Sequence, residues 1–453
     1  TFRWNHIFSD KLFANLSLIY SNYDYELGTK AVTKGGDAFN WKSKIVNYSI
    51  KPDFKYYISP KNTITFGGQA LLYDFRPGKA TVTVDNRSNV IGLDSKYALE
   101  SGIYAGNEQT VTSKFSLEYG LRLSGFRYMG KGRAYTYGDT TLKERKPLKS
   151  IEEYESFENI KTYYNLEPRL SAKLELTNSS SLKASYNRMA QYLHLLSNTA
   201  ASVPLDVWTP SSNNIKPQLA DQVALGYFKN FGANNDYETS VEVYYKRLQN
   251  QIDYIDHADL LLNEFLEGDL LTGKGRAYGL ELYVKKNKGK LTGWISYTLA
   301  RSERQVNGIS RNNWYPSRFD RLHNLNTVAM YDLTPRWSVS ANFTLGTGTP
   351  VTFFTNKYYY KDLPGFHNPE EKRNNFRIPP YHRLDLSATL KGKVEVAKRF
   401  NWDLVFSVYN VYNRRNPFAI YLRPGVDNPA ITEAVRFSVF GSIVPAVTFN
   451  FRF

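Results

Sequence analysis

From Ala446 to Phe453 the chain alternates without a break. Val447, Phe449, Phe451 and Phe453 share one face, and Ala446, Thr448, Asn450 and Arg452 share the other, because a strand turns successive side chains to opposite sides. A face made wholly of apolar and aromatic residues, backed by a polar one, suits a wall with lipid outside and a wet lumen inside. A core strand of a soluble sandwich alternates in the same way, so the decision rests on the remainder of the chain.

The pattern recurs. About seventeen segments of the chain alternate with a period of two. Phe115, Leu117, Tyr119, Leu121 and Leu123 oppose Ser116, Glu118, Gly120, Arg122 and Ser124. Tyr164 to Leu176 sets Leu166, Leu170 and Leu174 against Glu167, Arg169 and Lys173, and Trp337 to Leu345 does the same against Ser338, Ser340 and Asn342. Residues 277–285, 290–300, 384–390 and 402–412 repeat the pattern, each close to the roughly 9–11 residues that a tilted strand needs to cross a bilayer. The connections carry more information. Tight turns rich in Asn, Asp, Gly and Pro stand near 9–11, 58–62, 108–112, 177–180, 231–235, 286–290 and 333–335. Long polar and aromatic segments are expected at 26–39, 75–96, 128–161, 190–217, 247–272, 303–320, 347–379 and 413–436. Short periplasmic turns alternating with long extracellular loops produce that rhythm in an outer-membrane barrel. No fixed repeat length marks a propeller or solenoid.

Composition agrees. Tyr (35) and Phe (27) dominate an aromatic content of 15%, which suits sheets and membrane interfaces. The mean hydropathy of −0.48 does not argue against a membrane wall, because a half-apolar strand averages its two faces away. There is no cysteine, so disulfides and thiolate metal sites are excluded. The net charge of +16 is dispersed along alternating segments rather than massed on one face, which disfavours nucleic acid as a partner. Phosphate-bearing lipopolysaccharide at the outer leaflet is a plainer counterpart. An odd strand number that finishes on the periplasmic side starts on the extracellular side. The expectation is therefore that these 453 residues form one barrel domain, partial, with N-terminal strands lying outside it.

Certain runs resemble the barrels of TonB-dependent outer-membrane receptors of the Bacteroidetes type. They are Tyr164-Asn165-Leu166-Glu167-Pro168-Arg169-Leu170-Ser171, Ser181 to Tyr186, Asn214-Ile215-Lys216-Pro217-Gln218 through Gly226-Tyr227, Gly275 to Leu282, and Trp314-Tyr315-Pro316 to Leu325. The terminal Phe453 resembles the assembly signal of such barrels, and Phe449 and Phe451 would share that role as a strand offered to the barrel-assembly machinery. The resemblance implies an all-β, transmembrane, antiparallel barrel of about 22 strands filled by a plug. About seventeen of those strands would lie here, and the plug, the TonB-contacting box and the first strands would not. It also implies TonB-energised uptake of a bulky nutrient such as a ferric siderophore, glycan or peptide, with a surface lipoprotein lid as a further partner of some members. A plug-less passive channel or scaffold barrel is the alternative, and a secreted all-β binding protein a more distant one.

Catalysis finds no support: the six His residues are dispersed, with neither H-E-x-x-H spacing nor a G-x-S-x-G elbow. No cofactor or metal is expected. Loops on a rigid scaffold are the better candidates for binding. Trp208, Trp314, Arg318, Tyr358, Tyr359, Tyr360 and His367 offer aromatic faces and cationic neighbours to a ligand, although packing and interfacial roles explain such rings equally well. Asp320, Arg321 and His323 read as a rim network holding a loop root.

Overall fold

The computed structural model describes residues 1–453 apart from 30–37, 85–86, 141–143, 197–206, 257, 259, 261–262, 355, 361–362, 368–370, 393–400, 427–430, 440 and 453. Its strands form an antiparallel meander in which each wall strand pairs with the next. The wall strands are β1 (Phe2–Ser9), β2 (Leu12–Thr29), β3 (Ala38–Ser59), β4 (Asn62–Val84), β5 (Lys96–Thr110) and β6 (Phe115–Met129). They continue as β7 (Asn159–Thr177), β8 (Ser180–Gln191), β9 (Gln218–Phe231), β10 (Tyr237–Tyr254), β11 (Leu270–Lys286) and β12 (Leu291–Val306). The last are β13 (His323–Asp332), β14 (Trp337–Gly346), β15 (Tyr381–Lys391), β16 (Asn401–Tyr409) and β17 (Val444–Arg452). The pairings run unbroken from β1 to β17. Among the described residues no register joins β1 to β17. Among the described residues no helix is long and apolar enough to cross a membrane.

Alternate connections are short, at 10–11, 60–61, 111–114, 178–179, 232–236, 287–290 and 333–336. At 232–236 the chain reverses through Gly232 (φ +94°) and Asn235 (φ +51°), two residue types that tolerate the left-handed region. The opposite end carries 130–158, 192–217, 255–269, 307–322, 347–380 and 410–443, several of which fold into hairpins of their own.

The expected loop 75–96 turns out to be largely strand, and of the expected loop 26–39 the described residues, 26–29 and 38–39, are strand too. β2 to β5 project past the membrane band, and β3 and β4 reach 22 and 23 residues. Alternation survives there although both faces bear polar groups: Trp41 and Ser43 are buried while Lys42 is exposed. Lys42 faces Glu26 directly across β2–β3 and pairs with it at 3.3 Å.

The two faces of the wall follow from register. Ala184, Leu225, Val243, Leu280 and Leu299 lie opposite one another across β8–β12, with Leu225 51% exposed and Val243 45% exposed. Displaced by one residue, Lys183, Gly226, Glu242, Glu281 and Thr298 line up on the other side. The exposed apolar row faces lipid and the charged row faces the lumen. At the long-loop end, the lumen side of β3–β7 carries a cluster of Ile45, Tyr73, Phe75, Ala98, Phe126 and Tyr128, closed by Tyr192 from the segment after β8. Tyr192 stacks on Phe126 with ring centroids 4.9 Å apart. Its hydroxyl meets Ser124 Oγ at 2.7 Å and accepts from Asn165 Nδ2 at 2.8 Å. The 192–217 connection is thereby drawn inward over the wall.

Candidate functional site

The long connections are knitted into one platform by buried charge, because a carboxylate removed from water must find donors. In the first node the Arg145 fork donates to both oxygens of Asp269, at 2.7 and 2.8 Å. Asn263 Nδ2 adds a third bond at 3.0 Å. Beside it, Glu267 Oε2 accepts from Ser212 Oγ at 2.9 Å and from Asn214 Nδ2 at 2.5 Å, while Asn213 and Asn214 also donate to the Tyr135 carbonyl. Three connections, 130–158, 192–217 and 255–269, meet there. Burial, followed by the nearby Glu267 charge, pushes the Tyr137 hydroxyl up to about 12.

A second node is centred on Arg373, which donates from Nη1 to Asp253 Oδ1 at 3.2 Å. From Nη2 it reaches Asp256 Oδ1 at 2.9 Å and the Tyr254 carbonyl at 2.8 Å. The Tyr315 hydroxyl donates to the other Asp253 oxygen at 2.5 Å, and the Arg373 N–H donates to Ser310 Oγ at 2.9 Å. Burial, then the adjacent Asp253 charge, drives the Tyr315 hydroxyl far above its ordinary range. A third node is Asp320, fully buried, which accepts from Arg377 Nη2, from Arg301 Nη1 at 3.3 Å and from the Ser302 N–H at 2.6 Å.

Between the first node and the wall lies a small cleft of about 80 Å³. Its lining includes Phe75, Lys96, Arg133, Tyr135, Trp208 and Glu264. Trp208 stands on the short strand Val207–Pro210 opposite Leu195 and packs against the aromatic cluster of the inner wall. Arg133 pairs with Glu264, which also accepts from the Tyr135 hydroxyl. Beneath the same strand His194 is fully buried, its Nε2 2.9 Å from Ser211 Oγ and its Nδ1 3.1 Å from Gln218 Nε2. Since an amide nitrogen only donates, Nδ1 accepts and Nε2–H is the donor. Burial holds the imidazole down at about 4.

The residues singled out from the sequence are dispersed. Trp208 lines the cleft. Trp314 does not: it lies over Arg276 with the guanidinium 4.2 Å from the ring centroid, on the outward side of β11. Arg318 donates to the Leu195 carbonyl at 3.2 Å and so links 307–322 to 192–217. Tyr358 is exposed on the hairpin Asn356–Tyr360/Leu363–His367. Tyr359, Tyr360 and His367 belong to the same hairpin, but their side chains lie outside the described residues. Asp320 gathers Arg301 and Arg377, whereas Arg321 lines a separate pocket near Thr347 and Tyr381. His323 hydrogen-bonds Tyr297 at 2.8 Å and shares the register row of Leu299. Phe449 and Phe451 are more than half exposed, and Phe453 lies outside the described residues. Among the described residues no cluster of three or more His, Asp or Glu could hold a metal ion.

A model of the family described as TonB dependent receptor-like, beta-barrel, matches residues 1–411. The chain belongs to the TonB-dependent receptor β-barrel family. Its strands make an outer-membrane wall, and the family is one of receptors rather than enzymes. Three solved receptors share the fold. BauA, the ferric preacinetobactin receptor of Acinetobacter baumannii, aligns with TM-score 0.60 and 14% identity over 100% of this chain and 62% of its own. FyuA, the ferric yersiniabactin uptake receptor of Yersinia pestis, gives 0.64 and 14% over 99% and 60%. PiuA, a siderophore receptor of A. baumannii, gives 0.63 and 13% over 99% and 63%. The chain thus spans less than two thirds of the length of these receptors. No curated protein matches the sequence.

Proposed function

We propose that this barrel serves a receptor that takes up a bulky nutrient across the outer membrane with energy from the TonB complex, and that the Trp208 cleft contacts the ligand. The observation that carries the reading is the platform itself: long loops from one end of the wall, cross-tied by buried ion pairs and leaving an aromatic cleft between them. Pre-ordered loops lose less conformational entropy on capture than free ones. Ferric siderophores, named for the solved receptors of the same fold, are the first class to test; glycans and peptides follow. The cleft bears charges of both signs, Asp94, Glu264 and Glu267 against Lys96 and Arg133, which suits a ligand with many dispersed hydrogen-bonding groups.

The test is uptake of labelled ferric chelates, oligosaccharides and peptides by cells whose only copy of the full-length receptor is wild type or Trp208→Ala. Loss of one stacking face should weaken apparent affinity about tenfold, and collapse of the proton-motive force should stop uptake. Uptake that survives that collapse would make the barrel a passive channel. Wild-type affinity in Trp208→Ala would move the ligand elsewhere.

A further inference from the structure

Above the membrane band the wall carries an open edge. The short strand Arg87–Gly92 returns from the tip of β4 and pairs with β4 alone, Gly92 lying opposite Lys79 and Arg87 opposite Val84. Ala80, opposite Ile91, stands roughly 25 Å along β4 from Leu72, which shares an outward row with Tyr20 and Tyr48. On the far side β6 ends at Met129, opposite Tyr97, so no wall strand reaches up beside Arg87–Gly92. Every residue of the short strand is exposed. Gly92 has no side chain, and its exposure is therefore that of its backbone.

Register shows which groups are free. The Leu93 N–H donates to the Gly78 carbonyl at 3.0 Å. Antiparallel residues bond their partner at every second position, so Arg87, Asn89 and Ile91 turn to β4. Ser88, Val90 and Gly92 turn their N–H and C=O groups to the open side, where no other segment meets them among the described residues. Natural sheets guard an exposed edge with Pro, a bulge or inward-pointing charge, and the stretch from Ser88 to Ile91 has none of these. On the lumen side, the face of Trp41 and Ala80, the neighbouring Val82, Val84 and Ile91 lie exposed. Arg87 and Lys79 stand at the two ends, both exposed and, among the described residues, without a carboxylate partner.

We infer that the edge of Arg87–Gly92 binds a short extended peptide by strand addition, with an apolar residue beside Ile91 and an acidic residue at each end. Alternating N–H and C=O groups at strand spacing are complementary to another extended backbone. Val82, Val84 and Ile91 set the apolar side, and Lys79 and Arg87 set the charge of the ends. A second copy in the same membrane does not supply the strand. A two-fold axis along the membrane normal relates strands tilted by about 40°, so equivalent edges cross instead of running side by side. A folded partner needs a footprint of about 800 Å², whereas the outward surface here is the polar set Lys79, Thr81, Thr83 and Ser88. The edge is about 20 Å long, the length of a peptide of about six residues. This surface is separate from the Trp208 cleft, and the inference holds whether or not the barrel transports.

The experiment uses the full-length protein in detergent and a labelled synthetic peptide in which Val and Thr alternate between a terminal Glu at each end. Binding should slow amide exchange of Ser88, Val90 and Gly92 about tenfold or more and leave that of β8 and β9 unchanged. Two N-methylated versions, one methylated on the Val amides and the other on the Thr amides, separate the two edges of the peptide backbone. One should bind like the parent and the other about tenfold or more weakly. Val90→Pro removes an outward N–H while leaving the β4 ladder in place, and should weaken binding about tenfold. Reversing both ends, Lys79→Glu with Arg87→Glu, should shift the preference to a peptide ended by Lys. A heat-modifiable band on a gel verifies that each barrel is folded. Unchanged exchange at 88–92 with peptide in large excess overturns the inference, and so does equal affinity of the two methylated versions. Both of these use the wild-type protein and decide the matter even if a variant fails to assemble.

Discussion

Arg373→Ala tests whether the long loops form one cooperative platform. The side chain is buried and serves three acceptors: the Asp253 carboxylate, the Asp256 carboxylate and the Tyr254 carbonyl. The Asp256 side chain is 60% exposed, so it rehydrates when released and its pair is worth under about 1 kcal/mol. Asp253 is different. Its side chain is 9% exposed, and without Arg373 the Tyr315 hydroxyl and its own neighbours are all that meet its charge. Breaking a buried pair by removing one partner costs about 3 kcal/mol at the low end of such cases, which corresponds to roughly a 150-fold larger open fraction. The assay is amide hydrogen exchange of the full-length protein in detergent. Segments 307–322 and 371–377, which the node joins to β10, should exchange roughly 150-fold faster, while β8 and β9 keep their protection. Tyr315→Phe removes one donor to the same carboxylate and should cost about 1.5 kcal/mol, or roughly tenfold in exchange. Arg373→Lys should resemble Arg373→Ala more than wild type, because an ammonium cannot span the three acceptors that the fork reaches. Exchange in Arg373→Ala within threefold of wild type would refute the platform, and so would uniform acceleration of the wall.

Three further outcomes follow from other nodes. His194 is held neutral at about 4, below the ordinary imidazole value near 6.5, so the unfolded strap binds the proton more readily than the folded one. Its contribution is complete above about pH 6.5 and falls as the pH drops toward 4, by about 1 kcal/mol at pH 5.5. Exchange of 207–218, corrected for intrinsic pH dependence, should therefore rise on acidification in wild type and lose that excess in His194→Gln. Asp320→Asn removes the charge shared by Arg301 and Arg377 and should loosen the roots of 307–322 and 347–380 by about 3 kcal/mol, read as protease nicking within those connections and nowhere in the wall. Leu225→Arg places a charge in the outward aliphatic row and should destabilise the barrel in bilayers by about 2–4 kcal/mol. The same change at Ala224, on the lumen side, should cost far less; equal costs would mean that the assignment of faces is wrong.

The wall was legible because its information is local. A period of two across each strand and a long–short rhythm between strands are visible within windows of twenty residues, and the segments that alternation located at 115–124, 164–176, 277–285, 291–300, 337–345, 384–390 and 446–452 lie within wall strands. The strand ends were less legible. Around Trp41 and Phe75 the alternation continues above the membrane band, but Lys42, Lys44 and Arg76 interleave with the buried rings, so the segments read as polar loops. What fixes them as strand is pairing with residues far along the chain, such as Glu26 with Lys42.

The site was harder to read for a related reason. Arg145 meets Asp269 across 124 residues, and Arg373 meets Asp253 across 120. Nothing near either arginine in sequence distinguishes it from the other basic residues of a chain with net charge +16. Asn214 carried a signal, the Asn214–Gln218 run, yet its amide serves a loop node rather than a ligand. Aromatic density proved an ambiguous guide in the same way. Trp208 and Trp314 look alike in sequence, both in long polar segments, and both rings are half-buried. Register separates them: Trp208 follows the inward-folded 192–217 connection onto the lumen wall, while Trp314 covers Arg276, whose parity with Tyr278 turns it outward. One ring is thereby available to a ligand arriving through the loops and the other to the membrane. A residue's function in such a wall is set first by which of two faces its position selects, and a shift of one residue exchanges them.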